Sequence, residues 1–147
     1  ADALNALSIS GIAGINFNGN AVLTPHPKEM SRLAGLSVEE IENDRIGVAL
    51  SFSHTINAIV VLKGSRTVVA MPDGRAYINT TGNPGMAVAG SGDLLTGIIS
   101  AFAGQGLPLD KAAAIGVFSG TKNRNAWNDR RRHSLFNSIC HKDDCKR

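Results

Sequence analysis

The stretch Gly82-Asn83-Pro84-Gly85-Met86-Ala87-Val88-Ala89-Gly90-Ser91-Gly92-Asp93-Leu94-Leu95-Thr96-Gly97 sets a glycine-rich loop directly against the start of an apolar helix. Gly82, Gly85, Gly90 and Gly92 allow positive φ and let backbone N–H groups approach a ligand that a Cβ would hold away. Beyond Asp93 the apolar residues Leu94, Leu95, Ile98, Ile99, Phe102 and Ala103 recur as one face of a helix requires. Loop and helix therefore bring unpaired N–H groups and the positive end of the macrodipole to one place, a cradle suited to phosphate. Asp93 needs a role there. It is either the helix N-cap, which Asp fills well, or a base facing a reacting hydroxyl; the local sequence leaves both open, and the two can coexist.

The 147 residues have the length of one ordinary domain, and 43% hydrophobic content with sixteen glycines reads as globular α/β. The net charge of +3 is unevenly placed: residues 1–118 carry seven Lys/Arg against nine Asp/Glu, whereas residues 119–147 carry eight against three. The basic character thus belongs to the tail. A solvated or disordered tail explains it better than nucleic-acid binding, since only Trp127 and Phe136 interleave aromatic rings among those charges. Cys140 and Cys145 also lie there, so the body has neither a disulfide framework nor a thiol nucleophile. The set His133, Cys140, His141 and Cys145 matches no usual zinc spacing, and no metal ligand is assigned. No apolar run reaches the ~18 residues a membrane span needs, and no signal peptide is visible. No membrane partner is expected, and the expected location is cytoplasmic or within an organelle.

Ala21-Val22-Leu23-Thr24 reads as a short buried strand that ends at Pro25-His26-Pro27, with Pro27 in the first turn of a helix that stops at Gly35. Ser37 and Glu40 form a capping box that opens one further helix through Ile41, Ile46, Val48 and Leu50. Ala58 to Leu62 is a continuous apolar run, the mark of a strand covered on both faces in a parallel sheet. Lys63-Gly64-Ser65-Arg66-Thr67 leaves its carboxyl end, the edge where open α/β sheets bind ligands. Lys63 either faces phosphate or simply exits to solvent. Pro72-Asp73-Gly74-Arg75 joins two short strands as a hairpin, and a last helix runs from Leu109 to about Phe118. Asn16 to Asn20 and Ser51 to Asn57 are more polar than expected for these segments.

Neither the dinucleotide glycine fingerprint nor the P-loop fits, because Leu95 stands where a third glycine is needed and no Gly-Lys-Ser/Thr follows a spaced glycine. Three segments together carry a different likeness: Val22 to Met30 with Thr24-Pro25-His26-Pro27, Val61 to Thr67 with Lys63-Gly64-Ser65-Arg66-Thr67, and Thr81 to Asp93. Their order and spacing closely resemble the ADP/ATP-dependent NAD(P)H-hydrate dehydratases, which belong to the ribokinase-like superfamily. The likeness covers roughly residues 1–118. It implies an α/β chain forming the C-terminal portion of a three-layer fold, with a mostly parallel central sheet and flanking helices, followed by a divergent basic tail over 119–147.

The resemblance also implies a repair lyase. A phosphoryl group passes from ADP or ATP to the hydroxyl of the NAD(P)H hydrate, and loss of phosphate restores NADH or NADPH. On this reading His26 and Asp93 contact the hydrate, and Asp93 is the base. Lys63, Gly64, Ser65, Arg66 and Thr67 hold the adenine nucleotide together with Gly90, Ser91 and Gly92. Mg²⁺ is expected with the nucleotide, and the complete family protein is expected to be a homo-oligomer. Ala1-Asp2-Ala3-Leu4 reads as the continuation of an upstream element, so a fragment, inactive alone, is an expectation too. A related kinase for thiazole or pyrimidine alcohols, or a non-catalytic nucleotide-binding remnant, are the other readings.

Overall fold

Ile59 to Leu62 is buried on both faces, and the two sides of this strand sort the core into two layers. The computed structural model describes residues 2–12, 14–80 and 90–126, with side chains through residue 120. In chain order the elements are α1 (Asp2–Ser10), β1 (Val22–Leu23), α2 (Pro27–Ala34), α3 (Val38–Asn43), α4 (Arg45–Ile56) and β2 (Ile59–Leu62). The hairpin β3 (Val68–Ala70) and β4 (Ala76–Ile78) follows, then α5 (Ser91–Gly104) and α6 (Leu109–Ala126). Val60 and Leu62 pack with Met30, Leu33, Ile41, Phe52 and Ile56 beneath the first helices. Ile59 and Val61 pack on the other face with Ile99, Ala112, Ala113 and Val117 of α5 and α6. Successive residues of a strand point to opposite faces, so one four-residue run serves both layers. Each such side chain stabilises by about 1.5–3 kcal/mol on burial.

The three-layer α/β arrangement agrees with expectation, but the described sheet is mixed rather than mostly parallel. Its order is β1-β2-β3-β4. β1 runs parallel to β2, whereas β2–β3 and β3–β4 are antiparallel. Connection length explains the difference. A parallel crossover takes a dozen or more residues, and only the β1-to-β2 link, with its three helices, has them; Lys63–Thr67 and Met71–Arg75 can make only hairpin connections.

The single helix expected after Ser37 is two. The Ser37–Glu40 capping box forms, with Ser37 N donating to Glu40 Oε2 at 2.7 Å and Glu40 N to Ser37 Oγ at 3.2 Å. Asp44 then ends α3 and caps α4 at once, accepting from Gly47 N at 2.9 Å. The last helix extends beyond Phe118, to Ala126. The polar segments also have structural reasons. Ser53 is buried and donates to the Ala58 and Ala70 carbonyls, at 2.5 and 3.2 Å, tying α4 to the sheet. Asn18 and Asn57 take left-handed backbone conformations, which Asn tolerates better than most residues.

Candidate active site

His26, Lys63 and the first turn of α5 converge at the carboxyl edge of β1 and β2. Pro27 occupies the first position of α2, as expected, and His26 is its N-cap. His26 Nδ1 accepts from Glu29 N at 3.2 Å, while His26 N donates to Glu29 Oε2 at 2.8 Å. This reciprocal pair is a capping box built on histidine rather than serine. Because Nδ1 is an acceptor, the proton of the neutral ring sits on Nε2. The His26 side chain is 46% exposed, so that Nε2–H can meet a ligand from outside.

Glu29 joins this loop to the next. Its carboxylate is 7% exposed, and Oε2 lies 3.7 Å from Lys63 Nζ and 3.6 Å from His26 Nε2. Burial works against the charge, yet the hydrogen bond from the His26 backbone N–H and the Lys63 ammonium outweigh it and hold the carboxyl below the usual glutamate range. Lys63 therefore does not simply exit to solvent: its side chain is 24% exposed and packed against its neighbours. Lys63 N also donates to the Pro25 carbonyl at 2.8 Å, so the two loops are bound through backbone as well as side chain.

The ammonium reaches the helix start. A Cβ on Gly92 would stand 3.1 Å from Lys63 Nζ, tighter than ordinary packing. Gly90, not Asp93, is the N-cap of α5; it adopts φ 83° and offers no side chain. Asp93 is exposed as the third helical residue, where a carboxylate still complements the macrodipole. The N–H groups of Ser91, Gly92 and Asp93 have no intrahelical acceptor by position. Thr96 Oγ1 donates to Gly92 O at 3.0 Å and lies 3.3 Å from Thr24 Oγ1, which ties α5 to the end of β1. Gly64, Ser65 and Arg66 are exposed on the turn after β2, and Thr67 Oγ1 closes it by donating to Gly64 O at 3.3 Å.

The structure thus draws His26, Lys63 and Gly92 into one neighbourhood, with Gly90, Ser91 and Asp93 on the same helical turn. Glu29, and Arg45, whose Nη2 donates to the Leu62 and Lys63 carbonyls, are additions to the residues expected from sequence. The spacing His26-Pro27-Lys28-Glu29 carries a signal for the first, since an N-cap followed three residues later by Glu is a capping box. Arg45 has no such local signal. The remainder of the glycine loop, residues 81–89, and the His133, Cys140, His141 and Cys145 set lie outside the described residues. A cavity of about 370 Å³ opens at the opposite edge of the sheet, beside Met71, Asp73, Arg75 and Asp110. It is remote from this chemistry.

Residues 1–141 match the family model described as NAD(P)H-hydrate dehydratase of the carbohydrate-kinase type. The chain belongs to the NAD(P)H-hydrate dehydratase family. This dehydratase-family chain is 53% identical over 118 residues to the bifunctional NAD(P)H-hydrate repair enzyme of Moorella thermoacetica, covering 80% of the chain and 22% of that protein. It is 44% identical over 120 residues to the ADP-dependent (S)-NAD(P)H-hydrate dehydratase of Neisseria meningitidis, covering 80% of the chain and 40% of that protein. Among solved structures, the Bacillus subtilis ADP/ATP-dependent NAD(P)H-hydrate dehydratase, co-crystallised with ATP/Mg²⁺ and soaked with CoA, matches with a TM-score of 0.65 and 35% identity over 74% of this chain and 40% of that one. A ribokinase-like superfamily protein from Enterococcus faecalis matches with a TM-score of 0.73 and 29% identity, over 88% of this chain and 44% of that one. The dehydratase-family chain therefore spans about two fifths of the Neisseria enzyme and about a fifth of the bifunctional relative.

Proposed function

We propose that this chain supplies the nucleotide-binding and base-bearing part of an ADP- or ATP-dependent NAD(P)H-hydrate dehydratase. The observation that carries the reading is the convergence of Lys63, Gly92 and the capped His26 at one sheet edge, through Glu29. Lys63 and the first-turn N–H groups of α5 suit the phosphates of an adenine nucleotide, and Gly64 to Thr67 line the same side. His26, with its proton on Nε2, donates to the hydrate. Asp93 accepts the proton of the hydrate hydroxyl as its oxygen takes the terminal phosphoryl group and the bond to the departing nucleotide breaks. Phosphate then leaves with the ring C–O bond, a proton is lost from the adjacent carbon, and the ring double bond is restored.

Positioning and charge neutralisation account for most of the catalysis in such a transfer, and the general base adds about 10²–10⁴-fold. Among the described residues no three His, Cys, Asp or Glu side chains gather as a metal cage. This chain's own residues fit Mg²⁺ only by way of the phosphates that Lys63 and the α5 turn hold; bound there, the ion would neutralise phosphate charge. Residues 119–147 are outside the proposed catalytic portion.

The test is conversion of purified NAD(P)H hydrate with ADP and with ATP, read by the return of dihydronicotinamide absorbance. Asp93→Asn is expected to lower turnover by about 10²–10⁴-fold while leaving nucleotide affinity within a few-fold. Turnover of a thiazole or pyrimidine alcohol in place of the hydrate would sink the reading. Nucleotide binding without conversion by the folded chain would mark a non-catalytic remnant.

A further inference from the structure

We propose that Arg45, which lies outside the reacting groups, is a positioning residue that sets the Lys63–Thr67 loop in the shape that receives an adenine nucleotide. The inference rests on the reading above, in which this loop faces the nucleotide. Arg45 is the first residue of α4, where a cation opposes the helix macrodipole. Its placement therefore has another cause. The Arg45 side chain is only 13% exposed. Nη1 donates to both carboxylate oxygens of Glu42, each at 2.9 Å. Nη2 donates to the Leu62 carbonyl at 3.2 Å and the Lys63 carbonyl at 3.0 Å, the two carbonyls at which the chain leaves β2. Asp44, by ending α3 and restarting the helix one residue before Arg45, supplies the break that brings the guanidinium to this position.

The consequence for the loop follows from peptide planarity. Lys63 is fixed on both sides: its N–H is held by the Pro25 carbonyl and its C=O by Arg45. In a trans peptide the C=O and the next N–H point in opposite directions. Pinning the Lys63 carbonyl to Arg45 therefore directs the Gly64 N–H away from Arg45, toward the open side of the turn. Gly64 has no need of a positive φ. Its missing side chain makes room for the guanidinium instead, since a Cβ there would stand 2.7 Å from Arg45 Cζ. Gly64 and Arg45 thus form one device. Arg45 Nε is buried without a partner among the described residues, so the other two nitrogens maintain the placement.

The test uses the full 147-residue chain. ADP affinity is measured by calorimetry, amide hydrogen exchange is followed at residues 63–66, and melting is recorded for Arg45→Met, Arg45→Lys, Gly64→Ala and the Arg45→Met/Gly64→Ala double variant. Arg45→Met is expected to weaken ADP about tenfold or more and to speed exchange across the loop, at temperatures where the chain is folded. Arg45→Lys should recover part of the affinity, because an ammonium can still reach one carbonyl. Gly64→Ala should mimic Arg45→Met, and the double variant should lose no more than the worse single one, the mark of two residues acting through one contact. Wild-type affinity and loop exchange in Arg45→Met, or additive losses in the double variant, would overturn the inference. If Arg45→Met does not fold, Gly64→Ala decides by the same two readouts. A wild-type chain that binds no ADP would defeat the nucleotide reading alone, and loop exchange would still decide for or against Arg45.

Discussion

Two edges of the same sheet each hold a cation against carboxylate, one partner at the first and two at the second, and they hold it in opposite ways. At the carboxyl edge Lys63 faces Glu29, with side chains 24% and 7% exposed. At the other edge Arg75 donates to Asp73 at 2.7 Å and reaches Asp110 at 3.4 Å, but Arg75 is 64% exposed and Asp73 51%. The Arg75 contacts are shorter, yet water screens them. Glu29 has the longer ion pair and the larger consequence. Desolvation raises the cost of leaving it unpaired, and its carboxylate also completes the cap of α2 and so orients His26. Distance is thus a poor guide to importance here; burial and the number of elements joined are better ones.

Glu29→Ala should break the comparison most visibly, because it removes a helix cap and leaves Lys63 without its buried partner. About 2 kcal/mol of stability is expected to go, read as a lower urea midpoint. A loss no larger than that of Arg75→Ala would show that the buried pair contributes nothing special. The pH dependence comes next. The folded-state pKa of Glu29 is depressed, so its contribution is fully present above the ordinary glutamate value of about 4.3 and is lost as pH falls through the lower folded value. Urea midpoints taken across pH 6 to about 3 should fall less steeply in Glu29→Ala than in the parent; parallel curves would refute the assignment.

Glu29→Gln sharpens the same contrast. The amide oxygen can still accept from His26 N, so the cap survives while the charge facing Lys63 is gone, and about half of the alanine effect should remain. Equal losses for Gln and Ala would place the whole effect on charge. Gly92→Ala should raise helix stability by about 0.5 kcal/mol and yet weaken ADP a few-fold, because the new Cβ crowds Lys63 Nζ. Unchanged affinity would separate Lys63 from the α5 turn. Arg75→Ala is expected to be the smallest: a midpoint shift no larger than that of a neighbouring surface substitution, vanishing in high salt. A salt-resistant shift would erase the distinction between the two edges.

Much of the fold was legible locally. The buried run at Ile59–Leu62, the hairpin around Asp73-Gly74, Pro27 and Gly35 at the two ends of α2, and the Ser37 capping box all depend on near neighbours in the chain, and all are present. The break at Asp44 was hidden because the apolar periodicity continues across it; Asp44 is read correctly only when its side chain is seen on Gly47 N. The mixed sheet was hidden because a strand buried on both faces has the same composition whatever its neighbour's direction. Lys63 was ambiguous for a related reason: sequence placed it at the right strand end but could not bring Glu29 against it.

The amino-acid sequence by itself determined the α/β class, the Ser37 capping box, the Pro27 and Gly35 ends of α2 and the family, because spacing and backbone preference are local and motif order survives in one dimension. Only the tertiary structure decided that Gly90 rather than Asp93 caps α5, that Glu29 joins the His26 and Lys63 loops, and that Arg45 fills the space Gly64 leaves. Those facts depend on side chains meeting across elements that are far apart in the chain. No propensity encodes such meetings; packing around the two faces of β2 brings them about.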